Sequence, residues 1–122
     1  MRAGADTVRL DAHDWTLELS PRLGGSILAL QHAGRAVLRP AAAGAAHPLE
    51  TGCFPLVPYT NRIAQGRFTF DGVTYDLPRN FQPDHPHTLH GTAWLREWTV
   101  TQQAADSAVL LHEHAGDEHW PW

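Results

Sequence analysis

Residues 66–77 read GRFTFDGVTYDL and carry the clearest local fold signal in the chain. Asp71-Gly72 lies between two runs that alternate apolar and polar residues, and this dipeptide tolerates the positive φ angles of a type I′ turn. A two-residue turn pairs residues across the hairpin, Phe70 with Val73 and Phe68 with Tyr75. The stretch therefore predicts a β-hairpin with one aromatic face and one polar face.

The same alternation recurs on both sides of this hairpin. Residues 15–19 and 26–31 each alternate apolar and polar side chains, and residues 94–103 and 107–114 predict a second hairpin. With 10 glycines and 9 prolines, few windows of the chain are long enough for a helix, and no sustained helical stripe occurs. The pattern predicts an all-β fold, a sandwich or a barrel.

Length and charge limit the function. The chain has 122 residues, of which 43% are hydrophobic, so it is the size of one modest domain and excludes a two-domain enzyme. It carries 9 Lys+Arg and 13 Asp+Glu, a formal charge of −4, and the basic residues are not clustered. We therefore expect neither a nucleic acid nor an anionic membrane as a partner, which leaves small neutral ligands.

The cellular location is predicted to be the cytoplasm. No apolar run approaches the roughly 20 residues of a membrane span. The start of the chain, residues 1–10, carries Arg2, Asp6 and Arg9 where a signal peptide needs an apolar stretch. The single cysteine, Cys53, cannot form an internal disulfide and is expected to be a small buried filler between Gly52 and Phe54.

Two irregular loops, residues 52–65 and 78–91, are dense in polar and aromatic side chains. Loops held on a rigid β-scaffold are where binding groups concentrate. The first loop presents Asn61 beside Arg62, an amide and a guanidinium that suit a ligand with hydroxyl groups. A structural role is also open from the residues alone, in which Arg62 pairs with an acidic neighbour and Asn61 caps a turn.

The second loop holds three histidines within six residues, His85, His87 and His90. A His-x-His pair places two imidazoles on one side of a strand, which is one way to hold a metal ion. However, no carboxylate follows at cupin-like spacing, and Pro86 interrupts a regular strand. A hydrogen-bonding or acid/base role, or a purely structural one, remains open for each ring.

Taken in order, these segments resemble the aldose 1-epimerase (galactose mutarotase) family. The resemblance rests on five features of nearly the whole chain: residues 20–27 (SPRLGGSI), residues 52–63 (GCFPLVPYTNRI), the 66–77 hairpin, Asn80, and residues 89–91 (LHG). It implies an antiparallel β-sandwich of the galactose mutarotase-like type. It also implies an isomerase of carbohydrate metabolism that binds a free aldohexose such as glucose or galactose and interconverts its α and β anomers without a cofactor.

Residue by residue, the resemblance places Arg62 at the family's sugar-contacting arginine, with Asn61 just before it. His90 falls at the first of the family's two active-site histidines, near the ring oxygen and anomeric centre. His85 and His87 match no functional position, and no residue is assigned to a metal. The family's second histidine, its acidic sugar-binding residue and its glutamate base lie beyond Trp122, so residues 1–122 are predicted to be the N-terminal part of one β-sandwich domain.

Three alternatives stand beside this interpretation. The same residues suit a carbohydrate-binding domain without catalysis, and a hexose-6-phosphate mutarotase would need extra basic residues, for which the candidates are Arg67, Arg79 and Arg96. A small His-rich metal-binding β-barrel is the third. Because a partial β-sandwich exposes strand edges, the chain is also expected to self-associate.

Overall fold

The structure is a computed structural model that describes residues 7–122. Arg2 and Asp6, whose charges argue against a signal peptide, lie outside the described residues. The described chain contains strands and short 3₁₀ helices and no α-helix. The strands are β1 (Val8–Ala12), β2 (Trp15–Ser20), β3 (Ser26–His32), β4 (Arg35–Ala36), β5 (Arg62–Ile63), β6 (Arg67–Phe70), β7 (Val73–Asp76), β8 (Thr88–Leu89), β9 (Thr99–Gln103) and β10 (Ala108–Leu111). The 3₁₀ helices are Pro21–Leu23, Pro48–Glu50, Ala64–Gly66 and Ala93–Leu95.

The chain forms two compact units. The first contains the described residues up to Pro55 together with Ala93–His112, and the second contains Leu56–Thr92 and Glu113–Trp122. All strand pairs in both units are antiparallel. None of the helices in residues 7–122 has the length and apolar character needed to cross a lipid bilayer.

The first unit is built on a four-stranded sheet in the order β1-β2-β3-β4. β2 and β3 confirm the two alternating runs of the sequence, and a turn with positive φ at Ala33 and Gly34 ends β3. β1 was not predicted. Its charged residues Arg9 and Asp11 dilute the apolar signal, and they form an exposed ion pair with 3.0 Å between Arg9 Nε and Asp11 Oδ2.

The predicted strand 94–103 is shorter than the sequence pattern indicates, because only Thr99–Gln103 is extended. Trp94 lies instead in a 3₁₀ helix and is fully buried, with its indole ring 5.7 Å from the Phe54 ring and 5.6 Å from the His47 ring. A residue enclosed on all sides cannot alternate between two faces of a strand, so its apolar character was misleading. The returning strand is also shorter than 107–114 and ends at Leu111.

Cys53 is exposed, which corrects the prediction that it is a buried filler. Cys53 is held against β3 by its backbone and not by burial of its side chain. Its carbonyl accepts a 2.8 Å hydrogen bond from the Ile27 amide, in an isolated bridge to β3. The Ala/Gly-rich loop of residues 40–48 leads into the 3₁₀ helix Pro48–Glu50. There the His47 and Glu50 side chains form a capping box.

The second unit contains the hairpin predicted from residues 66–77. β6 and β7 pair Phe70 with Val73 and Phe68 with Tyr75, as expected, and Asp71 and Gly72 have φ angles of 49° and 75°. The Phe68 and Tyr75 rings stack at 5.2 Å. Two indoles near the chain end cover this aromatic face: Trp122 lies 5.0 Å from Tyr75 and Trp120 lies 6.1 Å from Phe68, measured between ring centroids.

Gly24 and Gly34 offer a matched test of packing in the first unit. Both have positive φ, but a Cβ at Gly24 would meet the backbone of Trp94, whereas nothing lies within 4 Å of a Cβ at Gly34. We expect Gly34→Ala to lower the free energy of unfolding by about 1 kcal/mol, the cost of a left-handed alanine. Gly24→Ala should lose about 1–3 kcal/mol more, because backbone atoms cannot move aside. Urea unfolding followed by tryptophan fluorescence measures both; equal losses would contradict this packing.

Candidate functional site

The two irregular loops meet in a two-residue antiparallel ladder within the second unit. β5 and β8 pair Arg62 with Leu89 and Ile63 with Thr88. This pairing was not predicted, because strands of two residues are too short to show alternation. The ladder brings all three predicted site residues together: Arg62 begins β5 with Asn61 directly before it, and His90 directly follows β8.

Asn61 and His90 are joined by two reciprocal hydrogen bonds. The backbone amide of His90 donates to the backbone carbonyl of Asn61 at 2.9 Å. The backbone amide of Asn61 donates to Nδ1 of the His90 ring at 2.8 Å. Both residues have positive φ, 75° at Asn61 and 61° at His90. Because Nδ1 accepts a hydrogen bond here, neutral His90 carries its own ring proton on Nε2.

His90 is held in its neutral form. Its half-buried position lowers the pKa of the imidazole below the ordinary value, and the nearby positive charge of Arg62 lowers it further. Protonation would also place a second hydrogen on Nδ1, opposite the Asn61 amide. His90 is therefore suited to donate a hydrogen bond from Nε2 rather than to act as a cation.

Arg62 is exposed, and one of its guanidinium nitrogens, Nη1, donates to the Asn61 Oδ1 atom at 3.0 Å. The ion pairs formed within residues 7–122 do not include Arg62, so the acidic-neighbour alternative is not what the structure contains. Asn61 directs the guanidinium and leaves its charge uncompensated. A fork of N–H donors in this setting suits oxygen acceptors such as hydroxyl groups.

His87 and His85 do not join His90 in a metal-ion geometry. The His87 Nδ1 atom accepts a 3.0 Å hydrogen bond from the Gln65 amide, at the opposite end of the ladder. The His85 ring lies edge-on to His87 and to Phe81, and burial lowers its pKa, as do the charges of Arg62 and His87. In the described part of the chain, no three His, Cys, Asp or Glu residues are grouped so that they could hold a metal ion.

Asn80 is the residue of this site that sequence reasoning missed. Its side-chain Nδ2 donates to the carbonyls of Leu89 at 2.6 Å and Gly91 at 3.0 Å, and its Oδ1 accepts from the Leu89 amide at 2.8 Å. These bonds bracket His90 on both sides. In the sequence analysis, Asn80 was one feature of the family resemblance and was assigned no role.

The backbone after His90 is packed closely. Gly91 has φ of 73°, and a Cβ there would meet the Pro58 ring and the Val57 carbonyl. The neighbouring Tyr59 is half-buried, and this burial raises the pKa of its hydroxyl. The segment around His90 therefore leaves little room for rearrangement.

A family model matches almost all of the chain, and individual proteins match about half of it. The sequence model of the family described as "Aldose 1-epimerase" matches residues 6–122. The uncharacterized protein YphB of Escherichia coli K12 is 43% identical over 65 residues, 53% of this chain and 22% of that protein. A "Probable aldose 1-epimerase" of Arthroderma benhamiae is 39% identical over 66 residues, 52% of this chain and 15% of that protein.

Two solved structures share the fold. A crystal structure from Escherichia coli K12, described as a "Putative aldose 1-epimerase", aligns with a TM-score of 0.81 and 35% identity over 93% of this chain and 38% of its own. A galactose mutarotase-like protein of Clostridium acetobutylicum aligns with a TM-score of 0.66 and 25% identity over 85% and 33%. The predicted antiparallel all-β fold of the galactose mutarotase-like type is confirmed. The chain spans 38% and 33% of the two solved relatives and 22% and 15% of the two curated relatives.

The charge of Arg62 can be tested through the histidines beside it. Arg62→Gln removes one cause of the lowered pKa at His85 and His90, so both pKa values should rise partway toward 6.5, while burial keeps them below it. Arg62→Lys keeps the charge and should leave both lowered. NMR pH titration of the imidazole C–H signals measures these values, and unchanged pKa values in Arg62→Gln would contradict the electrostatic account.

The same shift predicts how stability depends on pH. Because the folded-state pKa of each histidine is below 6.5, the unfolded chain binds more protons between the two values. The contribution of the neutral His85 and His90 rings to the free energy of unfolding is therefore complete above pH 6.5. It is lost as the pH falls from 6.5 through the lower, folded-state pKa values. Urea unfolding at several pH values should show a smaller acid loss in Arg62→Gln than in Arg62→Lys.

Proposed function

The chain belongs to the aldose 1-epimerase family, and we propose that it acts in interconverting the α and β anomers of a free aldohexose such as glucose or galactose. The observation that carries the proposal is the pairing of a neutral histidine with an unpaired guanidinium. His90 holds its proton on Nε2, and Arg62 is fixed beside it by Asn61. Both groups donate hydrogen bonds, and the oxygens of a sugar accept them.

Anomer interconversion opens and recloses the sugar ring. The bond between the anomeric carbon and the ring oxygen breaks as the ring oxygen gains a proton and the anomeric hydroxyl loses one. We assign His90 Nε2–H to the ring-oxygen side of this exchange, where a hydrogen bond stabilises the negative charge that develops on that oxygen. A neutral imidazole donates here without attracting anions in place of the uncharged sugar.

Arg62 is assigned to binding the sugar hydroxyls. Its guanidinium carries five N–H donors, and Asn61 occupies one of them at Nη1. Asn61 therefore acts on the sugar mainly through Arg62 and through His90, to which its amide is bound. A free hexose is favoured over a hexose phosphate, because Arg67 is bound to Asp76 and Arg79 donates to the Leu77 carbonyl.

The reaction also needs a base for the anomeric hydroxyl proton. A guanidinium is a donor with no acceptor atom and cannot serve as this base, and the His90 Nδ1 atom already accepts a hydrogen bond from the Asn61 backbone amide. The resemblance gives the acid and base roles to a second histidine and a glutamate that residues 1–122 do not match. We therefore propose that full turnover requires those groups, and that residues 1–122 form part of one domain of the family.

Sugar binding without turnover is the second candidate, and the same observation favours it, since neither Arg62 nor His90 can serve as the base. A metal-binding role is less favoured, because the Nδ1 atoms of His87 and His90 accept backbone amides. Loss of stoichiometric bound zinc, iron or nickel in His87→Ala would overturn the sugar proposal. The cytoplasmic location stays a prediction that cell fractionation would test.

Self-association is also proposed, with a second copy of the chain as the partner. Apolar residues of the hairpin support it, because Phe70 is 59% exposed and Val73 is 51% exposed. Trp122 beside them is 50% exposed. Size-exclusion chromatography with light scattering measures the mass directly, and a single monomeric peak at high concentration would contradict the proposal.

NMR titration of the chain with D-galactose and D-glucose tests the function. We expect both sugars to shift the Arg62 guanidinium and His90 ring signals, and myo-inositol, which has hydroxyls but no ring oxygen, to leave the His90 ring unshifted. Arg62→Met removes a charged donor and should weaken binding about tenfold to a hundredfold. Arg67→Met is the matched control, because Arg67 is bound to Asp76, and it should bind normally.

Mutarotation measured in the same samples separates the two candidates. Exchange of α and β anomers no faster than in buffer, together with sugar binding, supports the binding candidate for residues 1–122. Exchange as fast as in a full-length relative would contradict the requirement for a further acid and base. Absence of any sugar-dependent shift at Arg62 and His90 would overturn both candidates.

A further inference from the structure

We propose that Asn80 is a positioning residue for His90, holding the backbone on both sides of it so that the imidazole stays against the Asn61 amide. The effect on sugar chemistry rests on the proposed function, whereas the effect on the His90 ring does not. The hydrogen bonds of Asn80 go to the backbone of Leu89 and Gly91 and not to the His90 ring or Arg62. It acts through the chain that carries the imidazole.

The side chain of Asn80 takes the place of a third strand beside β8. In the β5–β8 ladder, the Leu89 amide and carbonyl both bond to Asn80, so they point away from β5. The next amide, that of His90, points the other way and bonds to Asn61. One edge of this short segment is therefore bound to the β5 side, and the other edge is bound to the Asn80 side chain.

Two carbonyls that flank His90 bond to the same nitrogen. Asn80 Nδ2 donates to Leu89 O and to Gly91 O, which fixes the chain one residue before and one residue after His90. His90 needs such restraint because its φ of 61° is uncommon for a residue with a side chain. A conformation of this kind persists when its surroundings over-determine it, and it is characteristic of functional sites.

The ring position follows from this backbone. Nδ1 of His90 reaches the Asn61 amide only while the left-handed turn directs the imidazole toward β5. If His90 relaxed to negative φ, the ring would leave that amide, and its proton could occupy either nitrogen. Asn80 therefore sets both the place and the tautomer of the imidazole.

Thr88 supplies a matched comparison on the same strand. Its hydroxyl donates to the Pro78 carbonyl at 2.9 Å, with the Leu77 carbonyl at 3.3 Å, and so ties β8 to the loop that carries Asn80. These bonds end before Leu89 and make no contact with the chain around His90. Thr88→Val removes a buried side-chain hydrogen bond from β8 and leaves the three Asn80 bonds in place.

The experiment compares Asn80→Asp, Asn80→Ala and Thr88→Val with the unmodified chain. Asn80→Asp keeps the oxygen that accepts from Leu89 but turns both donated bonds into repulsion between oxygens. Nitrogen-15 NMR of the histidine rings reports the His90 tautomer, and pH titration reports its pKa. We expect both Asn80 variants to lose the pure Nε2–H tautomer and to show a His90 pKa closer to 6.5, the ordinary value. Thr88→Val should retain the tautomer and the lowered pKa.

Sugar titration of the same variants gives the second readout. Misplacing a positioned group by about an ångström costs up to about a hundredfold, so we expect the Asn80 variants to bind D-galactose about 10- to 100-fold more weakly than Thr88→Val. If the unmodified chain binds no sugar, the proposed function fails, and the ring measurements alone decide the role of Asn80. An unchanged His90 tautomer and pKa in folded Asn80→Asp would overturn the inference, whatever the sugar result.

Discussion

The site depends on the two hydrogen bonds that join Asn61 to His90. They connect residues 29 positions apart, and they combine a backbone pair with a bond from an amide to a ring nitrogen. Closing a loop of that length costs conformational entropy, which grows slowly with the number of free residues. The hairpin of residues 66–77 folds locally within this loop, so it shortens the free chain that remains to be closed. The local element with the strongest sequence signal thus assists the non-local contact that has none.

The electrostatics of the site follow from this connection. Because His90 is held half-buried and next to Arg62, its pKa is lowered, and because its Nδ1 accepts a backbone amide, its one ring proton is on Nε2. Arg62 stays exposed and solvated, so its unpaired charge carries little desolvation cost. A neutral donor beside a cationic donor is suited to uncharged, oxygen-rich ligands. A second cation in place of neutral His90 would make the site favour anions.

Sequence patterns predicted those parts of the structure that are set by neighbours along the chain. The type I′ turn at Asp71-Gly72 and the alternation in β2 and β3 are local, and both were correct. The prediction that the strand begins at Trp94 was wrong, because a buried aromatic residue is equally typical of a strand and of the 3₁₀ helix in which Trp94 lies. The candidate site residues were predicted from their side-chain chemistry and from the resemblance to a family. Their geometry could not be found that way, because it depends on pairing between distant segments.

The roles of Asn80 and His87 were hidden for a related reason. Each side chain bonds to the backbone of a segment distant in sequence, Asn80 to residues 89 and 91 and His87 to Gln65. A bond to a backbone group depends on the conformation of the partner and not on its identity, so it leaves no pattern of residue types. The two histidines accept amides at opposite ends of the β5–β8 ladder, and Asn80 covers its outer edge. The shortest ladder in the second unit is thus completed by side chains.

The separation of donors from a base has a physical reason. A carboxylate placed beside Arg62 would pair with it and would raise the pKa of His90 by stabilising the imidazolium. The charge that holds His90 neutral would then be compensated, and the guanidinium would no longer be available to a ligand. Asp76, an acidic residue of the hairpin, is bound by Arg67 on the polar face of the strands. In the reaction we propose, a base that must ionise near neutral pH therefore has to act from outside this ladder, with the sugar between the base and the two donors.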